Sequence, residues 1–170
     1  MKISCLFSYP VRAQKLFILI LPIILAVLLL VGFGLRPVTA GEQSPKTLYE
    51  RLGGVGPIAV VVDDFLNRLY PNPVLNANPA IDAARKQVPP PALKFLVTQY
   101  MCHATGGPCS YEGRSMKEAH KALKITEVEW QAMMANFRET LFQFKVPKRE
   151  QQELIALLES VKGDIVIAAK

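Results

Sequence analysis

His120 is the residue whose setting promises chemistry. It closes the stretch Thr105-Gly106-Gly107-Pro108-Cys109-Ser110-Tyr111-Glu112-Gly113-Arg114-Ser115-Met116-Lys117-Glu118-Ala119-His120, and Ile125 and Trp130 follow it. A glycine-rich loop therefore leads to one imidazole on a short helix, with apolar helical segments on either side. One axial ligand is enough to hold a haem iron, because the porphyrin supplies the other four donors. A neutral imidazole gives one ring nitrogen to the metal, and its other N–H finds a backbone carbonyl that sets the tautomer and ring plane. Met116 shares the helix face of His120 and is placed to line the same side.

Other chemistries find no residues to carry them. No Cys-x-x-Cys-His occurs, so covalent c-type attachment is not indicated; Gln99 stands where the partner of Cys102 is needed. His103 lies off the face defined by Leu93, Val97 and Met101, which argues against a second axial ligand. Gly53-Gly54-Val55-Gly56 lacks the Lys-Ser/Thr that a phosphate loop needs. No catalytic carboxylate pair or nucleophile triad is visible.

The elements that position His120 are helical nearly throughout, with no strand-like alternation of useful length. Gly53-Gly54-Val55-Gly56-Pro57 reads as a break, with Pro57 in the first turn of a helix running to about Tyr70. Its buried stripe is Ile58, Val61, Val62, Phe65, Leu66 and Leu69. Pro71-Asn72-Pro73 ends it, and a polar connection through Asn76-Ala77-Asn78-Pro79 leads to a short helix near Ile81 to Gln87. Val88-Pro89-Pro90-Pro91 opens a helix from about Ala92 to Ala104 that stops at Gly106-Gly107. The helix of His120 runs from about Ser115 to Leu123. Thr126 with Glu129 forms a capping box for a long helix to about Phe144. Pro147 opens the last helix, Lys148 to about Ile167, with Leu154, Leu157, Leu158 and Val161 as its apolar stripe.

The first forty residues are a separate object. They hold Lys2, Arg12, Lys15 and Arg36 and no acidic residue, and the run Leu16 to Leu35 is almost wholly apolar. Val38-Thr39-Ala40 then resembles a signal-peptidase site. Residues 1–40 are thus a signal peptide or, since the run is long enough to span a bilayer, a transmembrane anchor with the N-terminus inside. Export follows in either case, to the periplasm or to the membrane facing it. The chain of 170 residues carries +6 overall, of which those forty supply four, leaving +2 on residues 41–170. That part makes one domain, able to bury a core without cross-links. Its near-neutral, interspersed charge argues against nucleic acid as a partner. The run Lys148-Arg149-Glu150 reads as a solvated face.

The series Leu48-Tyr49-Glu50-Arg51-Leu52-Gly53-Gly54, Val61-Val62-Asp63-Asp64-Phe65, Gly106-Gly107-Pro108, Tyr111-Glu112-Gly113, Met116-Lys117-Glu118-Ala119-His120 and Ile125-Thr126 resembles the group 1 truncated haemoglobins, from about Leu48 to Val166. The resemblance implies an all-α, two-over-two helical sandwich over residues 41–170, holding haem b with His120 as the proximal iron ligand. The cofactor-binding set it points to is His120, Phe65, Leu66, Leu93, Val97, Met101, Tyr100, Met116, Ile125, Trp130 and Phe137. Phe65, Trp130, Met133 and Phe137 are left to pack on the ring, and each is equally well explained as core. Arg114 or Lys94 is placed to reach a haem propionate.

On the distal side the chain departs from the family pattern. Many members have a tyrosine after the phenylalanine of the first long helix and a glutamine on the next helix, both able to hydrogen-bond dioxygen. Leu66, Leu93 and Val97 stand there instead, so the pocket is expected to be apolar and oxygen release fast. Tyr100 is the better candidate for a remaining donor, ahead of Tyr70 and Gln99. Where the family places a phenylalanine after that helix, this chain has Asn78-Pro79 and extra residues before Pro89.

Cys102 and Cys109 are close enough in sequence for a short-loop disulfide across the Gly-Gly turn, and an exported domain meets the oxidising conditions that keep one; Cys5 lies in the leader. Two buried or free thiols are the alternative. Three functions follow. The first is a carrier, scavenger or sensor that reversibly binds dioxygen, nitric oxide or carbon monoxide. The second is a nitric oxide dioxygenase or peroxidase fed by an electron-donor protein or reductant. The third is a haem-free helical interaction module. No catalytic residue is visible, which favours ligand binding over an enzyme.

Overall fold

The computed structural model describes residues 44–167. The apolar leader run and Cys5 lie outside them. Among the described residues no helix is long and apolar enough to cross a membrane.

Local chemistry starts most of the helices. Thr47 caps α1 (Leu48–Arg51) through a capping box with Glu50. Gly53 and Gly54, both at positive φ, turn the chain into α2 (Val55–Leu69). Asn72 and Asn78 accept backbone N–H groups at the starts of α3 (Pro73–Asn76) and α4 (Pro79–Gln87), each with a proline in its first turn. The sequence reading has only connection where α3 lies, because that single turn buries one apolar residue, Leu75, and shows no period. α5 (Pro90–Ala104) stops at Thr105, before Gly106 at φ 84°. Ser115 and Glu118 form the capping box of α6 (Met116–His120), which tightens into a 3-10 turn over Lys121–Leu123. Thr126 and Glu129 cap α7 (Glu127–Gln143) in the same way.

The last helix departs from expectation. α8 (Lys148–Ser160) ends, and a separate turn, α9 (Lys162–Ile165), follows. Gly163 weakens helix continuation here. The chain then extends, so that Val166 forms a parallel bridge with Ile125 and Ile167 N–H donates to the Ile125 carbonyl at 2.9 Å.

α2 packs on α5 and α7, α1 on α8, α3 on α7, and α9 on α6. The main core joins Ile58, Val62 and Leu66 of α2 to Met101 of α5, Phe137 and Leu141 of α7 and Leu154 of α8. A second core gathers Ile125, Trp130 and Met134. Glu150 corrects the reading of its charge run as a solvated face. It is only 7% exposed and accepts Arg51 Nε at 2.8 Å. Arg51 also reaches Glu153, so α1 is fastened to α8 by one guanidinium.

Candidate functional site

A cavity of about 770 Å³ opens between α2, α5, α6 and α7. His120, Phe65, Leu66, Leu93, Val97, Met101, Tyr100, Met116, Ile125, Trp130 and Phe137 all border it.

His120 closes α6, where the turn brings it over the backbone of Met116. Its Nδ1 lies 2.8 Å from the Met116 carbonyl oxygen. A carbonyl only accepts, so Nδ1 carries the proton and Nε2 keeps its lone pair. Burial, the largest influence, and the charge of Arg114 push the imidazole pKa below its ordinary value, against the opposing pull of the Met116 bond. The ring is therefore held neutral and in one tautomer, the form in which a histidine is a metal ligand. No group of three or more His, Cys, Asp or Glu residues gathers among the described residues as a metal-binding cluster.

Two aromatic pairs stiffen the walls. Phe65 and Phe137 meet edge to face with centroids 5.2 Å apart, and Tyr100 meets Tyr111 the same way at 5.3 Å. Leu66, Leu93 and Val97 form an apolar stretch between them and offer no donor. Burial first, and Tyr111 second, raise the pKa of Tyr100, so its phenol stays a neutral donor. Tyr70 also borders the cavity, but Arg85 covers its ring at 5.4 Å, and Arg85 donates to the Leu69 carbonyl at 2.9 Å. Trp130, on α7, also borders the cavity, and its Nε1 is a buried donor without a hydrogen-bond partner among the described residues.

Some candidates lie elsewhere. Lys94 does not border the cavity: it is engaged by Asp63 and Asn67 on α2, one layer out. Arg114 does border it, exposed and without an ion pair among the described residues. His103 is exposed, its Nδ1 3.2 Å from the Cys109 carbonyl oxygen, and Gln99 is off the cavity wall. Cys102, fully buried on α5, and Cys109 are joined by a disulfide with a Cα–Cα distance of 5.8 Å. It ties α5 to the loop that leads to α6. Gly107 sits inside this junction, where a Cβ would come within 2.5 Å of the Tyr49 ring and 2.7 Å of the Cys102 carbonyl oxygen.

The wall also contains residues that the sequence reading does not single out. Ala119 and Leu123 border the cavity, and their spacing from Met116 and His120 on one helix face is the signal that finds them. Tyr111, Arg85, Val161 and Ile165 border it as well. Tyr111, Arg85 and Ile165 come from a loop, from α4 and from the far end of the chain, where local periodicity carries no information, whereas Val161 already belongs to the apolar stripe expected for the last helix.

The family of bacterial-like globins matches this chain over residues 47–167. A group 1 truncated hemoglobin of Synechocystis sp. is 30% identical over 123 residues, 69% of this chain and 90% of its own. One from Tetrahymena pyriformis is 26% identical over 127 residues, 73% of this chain and 98% of its own. In fold, the chain is similar to the Fe(III) form of the Tetrahymena pyriformis truncated hemoglobin, with a TM-score of 0.61 at 24% identity, over 72% of this chain and 100% of that one. The cyanomet 2/2 hemoglobin of Synechococcus sp. gives 0.60 at 25% identity, over 71% and 98%.

Proposed function

The chain belongs to the bacterial-like globins, as a group 1 truncated haemoglobin, and from that premise we propose that it holds a b-type haem on His120 and reversibly binds a diatomic gas. The family makes it a haem-binding globin with the truncated, all-helical fold. The assignment of His120 as the iron ligand rests on one observation: its Nδ1 proton is committed to Met116, which leaves Nε2 free on the wall of an apolar cavity.

The residues fit the group. The cavity lies within the range of about 300–1,000 Å³ in which cofactors are held. Phe65, Tyr100, Trp130 and Phe137 give it aromatic walls, and Arg114 stands at its edge with a free charge for a propionate. Haem, when bound, supplies the iron at which a diatomic ligand is taken up. The chain would supply the rest: His120 would hold the iron through Nε2, the aromatic walls would keep water out, and Leu66, Leu93 and Val97 would line the ligand's place without donating to it. A hydrogen bond of about 1–3 kcal/mol that other members can give their ligand is missing, which corresponds to about one to two orders of magnitude faster release.

Residues 1–40 carry this domain to the periplasm, or hold it to the membrane facing that compartment. The disulfide supports that reading, since such bonds persist where conditions are oxidising.

The test is the absorption spectrum of the haem-reconstituted full-length chain beside His120→Ala, in ferric, ferrous and carbonyl-bound states. A Soret band whose position depends on His120 is expected. A chain that retains no haem, or a spectrum indifferent to the substitution, overturns the assignment in favour of a helical interaction module. Catalytic turnover of nitric oxide or peroxide with a reductant would move the protein to the enzyme reading.

A further inference from the structure

The turn that follows His120 is held from two distant parts of the chain. Asn78 Nδ2 donates to the Leu123 carbonyl at 2.9 Å, and the Ile167 N–H donates to the Ile125 carbonyl at 2.9 Å. Between these anchors Lys124 adopts a left-handed conformation at φ 51°. The tail is fixed in its turn: Lys162 pairs with Glu127 at 2.8 Å and lies 5.9 Å above the Trp130 ring.

This matters because α6 is a single short helix. Its N-terminal end has the Ser115–Glu118 capping box, but a helix of five residues has too few internal bonds to hold its other end in place. His120 is its last residue. The Leu123 and Ile125 carbonyls beyond it have no intrahelical partners and take outside donors. Asn78 and Ile167 are those donors.

We propose that Asn78 and the Ile167 amide are positioning residues for His120, clamping the Leu123–Ile125 turn so that the imidazole keeps one height and ring plane toward the haem. The proposal rests on His120 as the iron ligand. Asn78 is suited to the role because its other atom, Oδ1, caps α4 by accepting from Ala80 N–H at 2.9 Å, so one side chain joins the start of α4 to the end of the histidine turn. The tail is suited because Ile165 and Val161 border the same cavity, so a shift of the tail alters both the clamp and the cavity wall.

Two substitutions separate the clamp from general packing. Asn78→Ser retains a good helix cap but is too short to reach Leu123. Ile167→Pro removes the donating N–H, and Val166, at φ −83° and ψ 127°, already has the conformation a residue before proline adopts. Ile167→Ala keeps the N–H and is the control. The full-length chain is loaded with haem, and two quantities are read: the rate of haem transfer to excess apomyoglobin, and the iron–histidine stretching band of the ferrous protein. Asn78→Ser and Ile167→Pro are each expected to speed haem loss about tenfold and to shift or broaden the band, while Ile167→Ala changes neither. Wild-type loss rates and bands in both variants overturn the clamp while leaving His120 as ligand. A wild-type protein with haem but no iron–histidine band overturns the ligation and the clamp together.

Discussion

Asp64 on α2 and Thr140 on α7 meet at 2.8 Å, the hydroxyl donating to a carboxylate oxygen at a point where Thr140 has no exposed surface. Arg68 Nε donates to the same oxygen at 2.6 Å. Burial alone raises the carboxyl pKa, but the bonds from Arg68 and Thr140 outweigh it and hold the group below the ordinary carboxylate range. One side chain thus fastens two of the helices that enclose the cavity.

The pH dependence follows with a definite sign. A carboxyl whose folded pKa is depressed contributes stability above its unfolded pKa and loses that contribution as pH falls toward the folded value. Asp64→Asn is expected to lower stability by about 1 kcal/mol at neutral pH, and the difference from wild type is expected to shrink as the solution is acidified below the ordinary carboxylate range. Urea unfolding at several pH values checks this; a gap that stays constant down to strongly acidic pH would be contrary to it.

Leu66→Tyr introduces the hydroxyl that the wall between α2 and α5 lacks. Oxygen dissociation, measured by stopped flow, is expected to slow by about one to two orders of magnitude. Tyr100→Phe removes the phenol that α5 offers on this wall and is expected to leave the rate unchanged, since Leu66, Leu93 and Val97 are the residues proposed to surround the ligand. A large change in Tyr100→Phe would instead make Tyr100 a donor to the ligand.

Removing the disulfide with Cys102→Ala and Cys109→Ala together frees the loop that leads to α6. The loss is expected to be about 2 kcal/mol, from the loop-closure entropy of so short a ring, visible as a drop of several degrees in Tm. A thiol reductant added to wild type is expected to reproduce the drop and to have no effect on the double variant.

Gly107 and Lys145 are expected to respond in opposite directions. At Gly107 a methyl group meets a ring, a carbonyl oxygen and the Cys102 sulfur, all closer than 3 Å, so Gly107→Ala should cost about 1–3 kcal/mol. Lys145 sits at φ 52° just after α7, and Lys145→Gly should gain up to about 1 kcal/mol by removing the left-handed strain. Thermal unfolding of the two variants checks the signs.

What could be read without coordinates was local. The capping box of Thr126 and Glu129, the proline-led helix starts and the step from Met116 to His120 all act within a few residues, so the order of residue types carries them directly. Periodicity also marks Ile58, Val61, Val62, Phe65, Leu66 and Leu69 as one buried stripe; the structure buries Ile58, Val62 and Leu66, while Val61, Phe65 and Leu69 are half-buried on the cavity wall. Tertiary packing decided the rest. Glu150 looks like part of a solvated charge run until Arg51, from the other end of the domain, covers it. Lys94 looks free for a propionate until Asp63 claims it. Gly163 weakens the helix just beyond Val161, but nothing nearby announces that the chain will extend and return to Ile125, because the partners are distant in sequence and meet only after the helices between them have packed. His120 is marked by its neighbours in the chain, while the bonds to the turn beyond it come from Asn78 and Ile167, which meet that turn only through the fold.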